Sequence, residues 1–257
     1  MLIVLSPAKS LDLDTPPTTR LRTEPQFLDH SAQLIDRLRE FAPAEIGELM
    51  DISDALSALN VARYASWSTD TSEARPAVMT FDGDVYDGLA ARTLTPKQLD
   101  YTQSRVRILS GLYGMLRPLD VIHPHRLEMG TRLSNPRGKD LYAFWGDTIT
   151  DALNRSAEEQ GAGVLVNLAS EEYFKSVRKA KLKVPVITPV FEDWKNGKYK
   201  IISFYAKRAR GLLARYAAVN HINDPQKLKA FDTDGYAFVP DASDERKWVF
   251  RRRLADA

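Results

Sequence analysis

The hydrophobic pattern sorts the chain into short buried strands and amphipathic helices. Leu2–Leu5 is apolar at every position and reads as a buried strand ending in a Ser-Pro-Ala-Lys turn. Three prolines between residues 15 and 25 mark an irregular segment. Phe27, Leu28, Leu34, Ile35, Leu38 and Phe41 recur at helical spacing and predict a helix over about 25–41. Short helices follow over about 43–49 and 53–65, the second capped by Ser53.

Ala77–Phe81 reads as a strand leading into a turn at Asp82-Gly83-Asp84. Thr95-Pro96 supplies an N-cap and first helical residue for a helix to about 107. Leu141–Leu153 reads as one helix, Val164–Leu168 as a buried strand, and Ser170 as the cap of a short helix holding Glu171, Tyr173 and Lys175. Val184–Phe191 and Tyr199–Phe204 predict strands around Asn196-Gly197, a hairpin signal. A helix over about 205–220 and closing strands at Gly235–Val239 and Lys247–Arg251 complete the chain. Strands and helices mix without regular alternation and without a linker or repeat. This predicts one α+β domain over 1–257 with a mixed sheet.

Composition narrows the chemistry. The 257 residues include no cysteine, which excludes disulfides, thiolate metal sites and a catalytic or sensing thiol. No apolar run reaches the roughly 18 residues of a membrane span, and the first residues lack a secretory pattern, so a cytoplasmic location is expected. The net charge of +2 hides an asymmetry: residues 1–170 carry a net of −6 and residues 171–257 a net of +8. Trp194–Asn223 holds seven basic residues and no acidic one. Such polarity points to an anionic partner.

Seven motifs stand in order along the chain: Leu5–Asp12, Phe81–Leu89, Leu109–Asp120, Arg126–Gly130, Phe144–Asp147, Asn167–Ser176 and Ile202–Gly211. Together they resemble the peroxide stress resistance protein YaaA family of bacteria. The resemblance implies a cytosolic protein that limits DNA and protein damage under hydrogen peroxide by keeping unincorporated iron low. It also implies double-stranded DNA as partner, bound through a basic cleft and a helix-hairpin-helix-like element. His125 stands where the family usually has Tyr, which leaves any shared role of that side chain open.

Three groups suit phosphate. Lys207, Arg208, Arg210 and Arg215 fall within roughly 160° on the 205–220 helix, opposite Tyr205, Ala209, Leu212, Leu213 and Tyr216. Guanidinium forks bind phosphate in bidentate fashion, although a merely solvated amphipathic helix has the same pattern. Gly111 and Gly114 flank a Gly-x-x-Gly turn with Arg117 close behind, a loose match to a helix-hairpin-helix, and equally a tight turn after a strand. Lys175 leads a third basic group with Arg178, Lys179, Lys181 and Lys183.

A rival reading is an enzyme acting on a nucleotide, nucleobase or small metabolite. Ser6, Lys9, Asp84, Tyr113, Arg126, Glu128, Asp147, Glu171, Tyr173 and Lys207 lie in polar segments among apolar ones, as pocket residues do. That reading predicts a pocket uniting Lys9, Arg126, Glu128, Tyr173 and Lys207. No phosphate-loop, nucleophile-elbow or dinucleotide fingerprint is present, so no cofactor is expected. His123 and His125 are the one close histidine pair, without a spaced third ligand, so no metal site is expected.

Overall fold

Strand β1 (Leu2–Leu5) is buried on both faces at the centre of the sheet. A strand with no polar side requires cover on both faces, which is how parallel sheets are built. The computed structural model of the protein describes residues 1–253. After β1, three helices follow: α1 (Leu28–Leu38), α2 (Pro43–Met50) and α3 (Asp54–Ser66). Leu34, Ile35 and Leu38 turn the buried face of α1 inward, and Ser53 Oγ accepts from Leu56 N at the start of α3.

Next come α4 (Ala77–Thr80), α5 (Asp84–Leu89) and α6 (Pro96–Arg105), then β2 (Val106–Ser110) and β3 (Gly114–Leu116). Thr95 and Gln98 form a reciprocal capping box at the head of α6. The chain continues through α7 (Leu141–Trp145), α8 (Thr148–Glu159), β4 (Leu165–Leu168), α9 (Glu171–Phe174), β5 (Val186–Lys195) and β6 (Lys198–Lys200). It ends with α10 (Ser203–Val219), β7 (Ala237–Phe238) and β8 (Lys247–Arg252).

The sheet order is β7-β8-β5-β4-β1-β2-β3, with β6 folded back on β5. The five strands from β8 to β2 are parallel, and β3, β6 and β7 pair antiparallel. One apolar cluster extends from Met1 to Phe250. This is the expected α+β fold with a mixed sheet.

Four local expectations change. Ala77–Thr80 is a helical turn rather than a strand: Thr80 Oγ1 bonds Pro76 O, while Ala77 N and Val78 N bond Asp120 O and Pro118 O. All four of its residues are buried, and a run buried all round carries no readable period. Asp84, expected in a turn, opens α5 instead. The single helix expected over 141–153 breaks at Gly146, whose φ of 50° ends α7. Ser203 and Phe204 join α10 rather than the strand before it.

The Gly111–Gly114 segment is not a helix-hairpin-helix. It is the turn between β2 and β3, which pair antiparallel through Ile108–Leu116 and Ser110–Gly114. Both glycines serve packing. A Cβ on Gly111 would collide with Leu127 O, and one on Gly114 (φ 68°) would sit 2.7 Å from the Trp145 ring.

Helices α5 and α10 cross with their backbones in contact. A Cβ on Gly211 would strike Val85 O and lie 2.8 Å from Leu89 N; one on Gly88 would strike Arg208 O and lie 2.8 Å from Leu212 N. The two glycines remove the side chains that would hold the helices apart. Arg215 then caps α5, donating through Nη1 to Leu89 O at 3.1 Å, Ala90 O at 3.2 Å and Thr93 Oγ1 at 2.8 Å.

Candidate functional site

The sheet reverses direction of growth at β1: β2 and β3 lie to one side, β4, β5 and β8 to the other. In open parallel sheets the crevice at the carboxyl ends of such strands is where ligands bind. Here that edge is built by Ser6–Lys9 after β1, the Ser110–Gly114 turn after β2, and Ala169–Ser170 entering α9 after β4. A small cleft opens there, bringing Lys9, Ser110, His125, Arg126, Glu128 and Tyr173 together.

Glu128 is the hinge of the polar group. Its Oε2 lies 2.7 Å from Lys9 Nζ, and its Oε1 accepts from Arg126 Nη2 at 2.8 Å and Nε at 3.0 Å. Burial works against the charge of Glu128, but the bonds from Lys9 and Arg126 outweigh it and hold the carboxyl below its usual range. Two cations around one carboxylate leave the cluster with one net positive charge. Arg126 and Glu128 are largely enclosed, whereas Lys9 has 63% of its side chain exposed.

The wall on the other side is a hydroxyl network. Ser6 Oγ accepts from Ser170 N at 2.8 Å and donates to Ser170 Oγ at 3.3 Å. Ser170 Oγ in turn caps α9 by accepting from Tyr173 N. Ser6 O accepts from Tyr86 OH at 3.0 Å, and the Tyr64 hydroxyl donates to Arg126 O. Tyr173 is buried, and desolvation pushes its phenol far above the ordinary tyrosine range, so it stays a neutral donor.

His125 completes the cleft. Its Nδ1 lies 2.8 Å from His123 O, an acceptor only, so Nδ1 carries the proton and Nε2 the lone pair in the neutral ring. Burial lowers its pKa to about 4, which keeps the ring neutral near pH 7. His123 Nε2 bonds Asp70 O instead, so the two imidazoles do not share a ligand position. Among the described residues no cluster of three His, Asp or Glu has metal-binding geometry.

The residues named from sequence fall into three sets. Ser6, Lys9, Arg126, Glu128 and Tyr173 gather at this edge. Tyr113 lies beneath it: its hydroxyl accepts from Trp67 Nε1 at 2.9 Å and His123 N at 3.1 Å, a fully buried structural role. Asp147 lies elsewhere, 3.0 Å from Arg178 and 2.6 Å from Lys181. Asp84 starts α5, and Glu171 is exposed in the first turn of α9, its charge felt by half-buried Arg210. Lys207 is exposed on α10 and is not among the cleft residues. Reading the sequence missed Ser110, His125 and the Ser170 and Tyr86 hydroxyls as parts of the site. A polar residue at or just past the end of an apolar strand was a readable signal for Ser110 and Ser170; His125 and Tyr86 carry none.

The basic residues do not act as one face. Arg215 is spent on the α5 cap, and Arg117 pairs with Asp120 at 2.8 Å. Lys175 Nζ sits 4.8 Å over the Tyr142 ring. Lys207 and Arg208 remain exposed, the latter 3.9 Å from Asp234.

Residues 1–242 match the model of a family described as peroxide stress protein YaaA. The chain belongs to the YaaA family. It is 64% identical over 256 residues to a UPF0246 protein of Ralstonia pickettii, covering 99% of this chain and all of that one. A UPF0246 protein of Ralstonia nicotianae is 62% identical over 257 residues, covering 99% of this chain and all of that one. One from Janthinobacterium is 60% identical over 256 residues, covering 99% of each. Among the described residues, no helix is long and apolar enough to cross a membrane.

Proposed function

We propose that this YaaA-family protein protects the cell against peroxide by limiting iron-dependent damage, and that its working site is the cleft at the carboxyl edge of β1, β2 and β4. The cleft as it stands has a volume of only about 10 Å³, and it would take a small anionic metabolite or nucleobase-like ligand by displacement of the exposed Lys9 side chain. The single observation that carries this reading is the Lys9–Glu128–Arg126 cluster, net positive and half-enclosed at the strand-order switch point. With no cysteine in the chain, protection by a thiol is excluded, and the oxygen and nitrogen groups of this cleft are the reactive or binding groups available. Neutral His125 and Tyr173 supply an acceptor and a donor beside the cations.

The test is a thermal-shift screen of nucleotides, nucleobases and small carboxylates. A ligand at about 100 times its Kd stabilises by about 2.7 kcal/mol. Arg126→Ala should abolish that stabilisation and fail to restore peroxide tolerance to a strain lacking the gene. Equal stabilisation of wild type and Arg126→Ala would sink the reading.

Double-stranded DNA is the second reading, favoured by the exposed Lys207 and Arg208 in a stretch without acids. With Lys175 they would neutralise about three phosphates, giving a salt slope of log K near −3. Salt-dependent duplex binding lost in Lys207→Glu/Arg208→Glu, with Arg126→Ala unaffected, would move the function from the cleft to α10.

A further inference from the structure

Arg107 is a buried cation with no carboxylate partner. It sits in β2 and is 3% exposed. Its Nε donates to Ser156 Oγ at 3.2 Å, and its Nη1 to the carbonyls of Gln103, Ser104 and Val106 at 3.1, 3.2 and 2.8 Å. These carbonyls lie at the C-terminal end of α6, where the helix dipole favours positive charge. Nη2 has no partner among the described residues, and no carboxylate lies within ion-pair distance.

The guanidinium faces a cavity of about 280 Å³ that it shares with Arg117, Gln26, Ser156 and three carboxylates, Glu24, Asp120 and Glu159. Burial and the like charge of Arg117 both work against the Arg107 cation, lowering its pKa to about 10. Asp120 and Glu159 act the other way, but neither forms an ion pair with Arg107. Asp120 is taken by Arg117 and by Thr23 Oγ1 at 2.6 Å, and Glu24 by Thr71 Oγ1 at 2.7 Å. Glu159 stands exposed on the solvent side. The cavity shares no residue with the cleft proposed above.

We infer that this cavity is a second ligand site, binding a small monocarboxylic acid that carries a hydroxyl or ammonium group. The carboxylate would sit on the free edge of Arg107 and reach Nη1 of Arg117, whose Nε and Nη2 are already held by Asp120 and Glu24 O. The donor group would face Glu159, whose charge discriminates against polyanions. The volume lies just below the range of about 300–1,000 Å³ typical of drug-sized ligands, which excludes a nucleotide.

The experiment is a titration of the full chain with acetate, glycolate, glycine and inorganic phosphate, followed by NMR at the Arg107 Nε–Hε signal. Glycolate or glycine should shift that signal saturably and more tightly than acetate or phosphate. Arg117→Gln should weaken binding about tenfold, and Glu159→Gln should remove the preference over phosphate. Absence of a saturable shift, phosphate binding as tightly as glycolate, or unchanged affinity in Arg117→Gln would overturn the inference. Arg107→Met carries no weight in the test, because it removes bonds that hold α6, α8 and β2 together. The outcome is independent of the first cleft, whose Arg126→Ala variant should bind these probes like wild type.

Discussion

Gly211→Ala sets helix propensity against packing, with opposite signs. Alanine in mid-helix is favoured over glycine by about 1 kcal/mol, so a solvent-exposed site would gain stability. Here the new methyl would strike Val85 O and approach Leu89 N to 2.8 Å, both backbone atoms of the facing helix. No rotamer change relieves a clash with a backbone. The helices must separate, which costs the α5–α10 packing and the Arg215 bonds to Leu89 and Ala90. Overpacking into unyielding neighbours costs about 1–3 kcal/mol or more. The upper end applies here, leaving a net loss of about 2 kcal/mol after the propensity gain. For a chain of this size that is roughly 4–8 °C in Tm. Urea unfolding followed by far-UV circular dichroism measures it, with Gly163→Ala as control, since a Cβ there meets nothing within 4 Å. Gly211→Ala at or above wild-type stability would refute the close crossing.

Two further outcomes follow from buried charge. His125 titrates near 4 when folded and near 6.5 when unfolded, so the unfolded chain binds more protons between those values. Its contribution is complete above pH 6.5 and is lost as pH falls to about 4, an effect of about 3 kcal/mol; His125→Gln should flatten that part of the stability–pH curve relative to wild type, and superimposable curves would contradict it. Arg252 and Asp193, both 4% exposed at the side chain and 2.6 Å apart, are held further by Tyr236 OH on Asp193 and by Asp234 on Arg252. Arg252→Met should cost about 3–5 kcal/mol in chemical denaturation by stranding the Asp193 charge, and the double variant with Asp193→Leu should recover part of it; no recovery would mean that Arg252 acts through its stacking on Tyr205 and Tyr236 instead.

Local pattern fixed what depends on neighbours in sequence. The caps at Ser53, Thr95 and Ser170, the Asn196-Gly197 hairpin and the buried strands at 2–5 and 165–168 were all legible. So was the grouping of Lys9, Arg126 and Glu128 with Tyr173 as candidates, because polar residues stand out beside apolar strands. Only the tertiary structure decided which charges are free. Arg215 on the helical projection and Arg117 behind the Gly111–Gly114 turn look like phosphate ligands, but Arg215 is bonded to carbonyls of a distant helix and Arg117 to the buried Asp120. It also decided what the glycines do: Gly88, Gly111, Gly114 and Gly211 answer atoms from distant segments, a demand that no periodicity records. Sequence determines what a residue can offer; the partner that takes up the offer is set by which strands and helices the fold brings together.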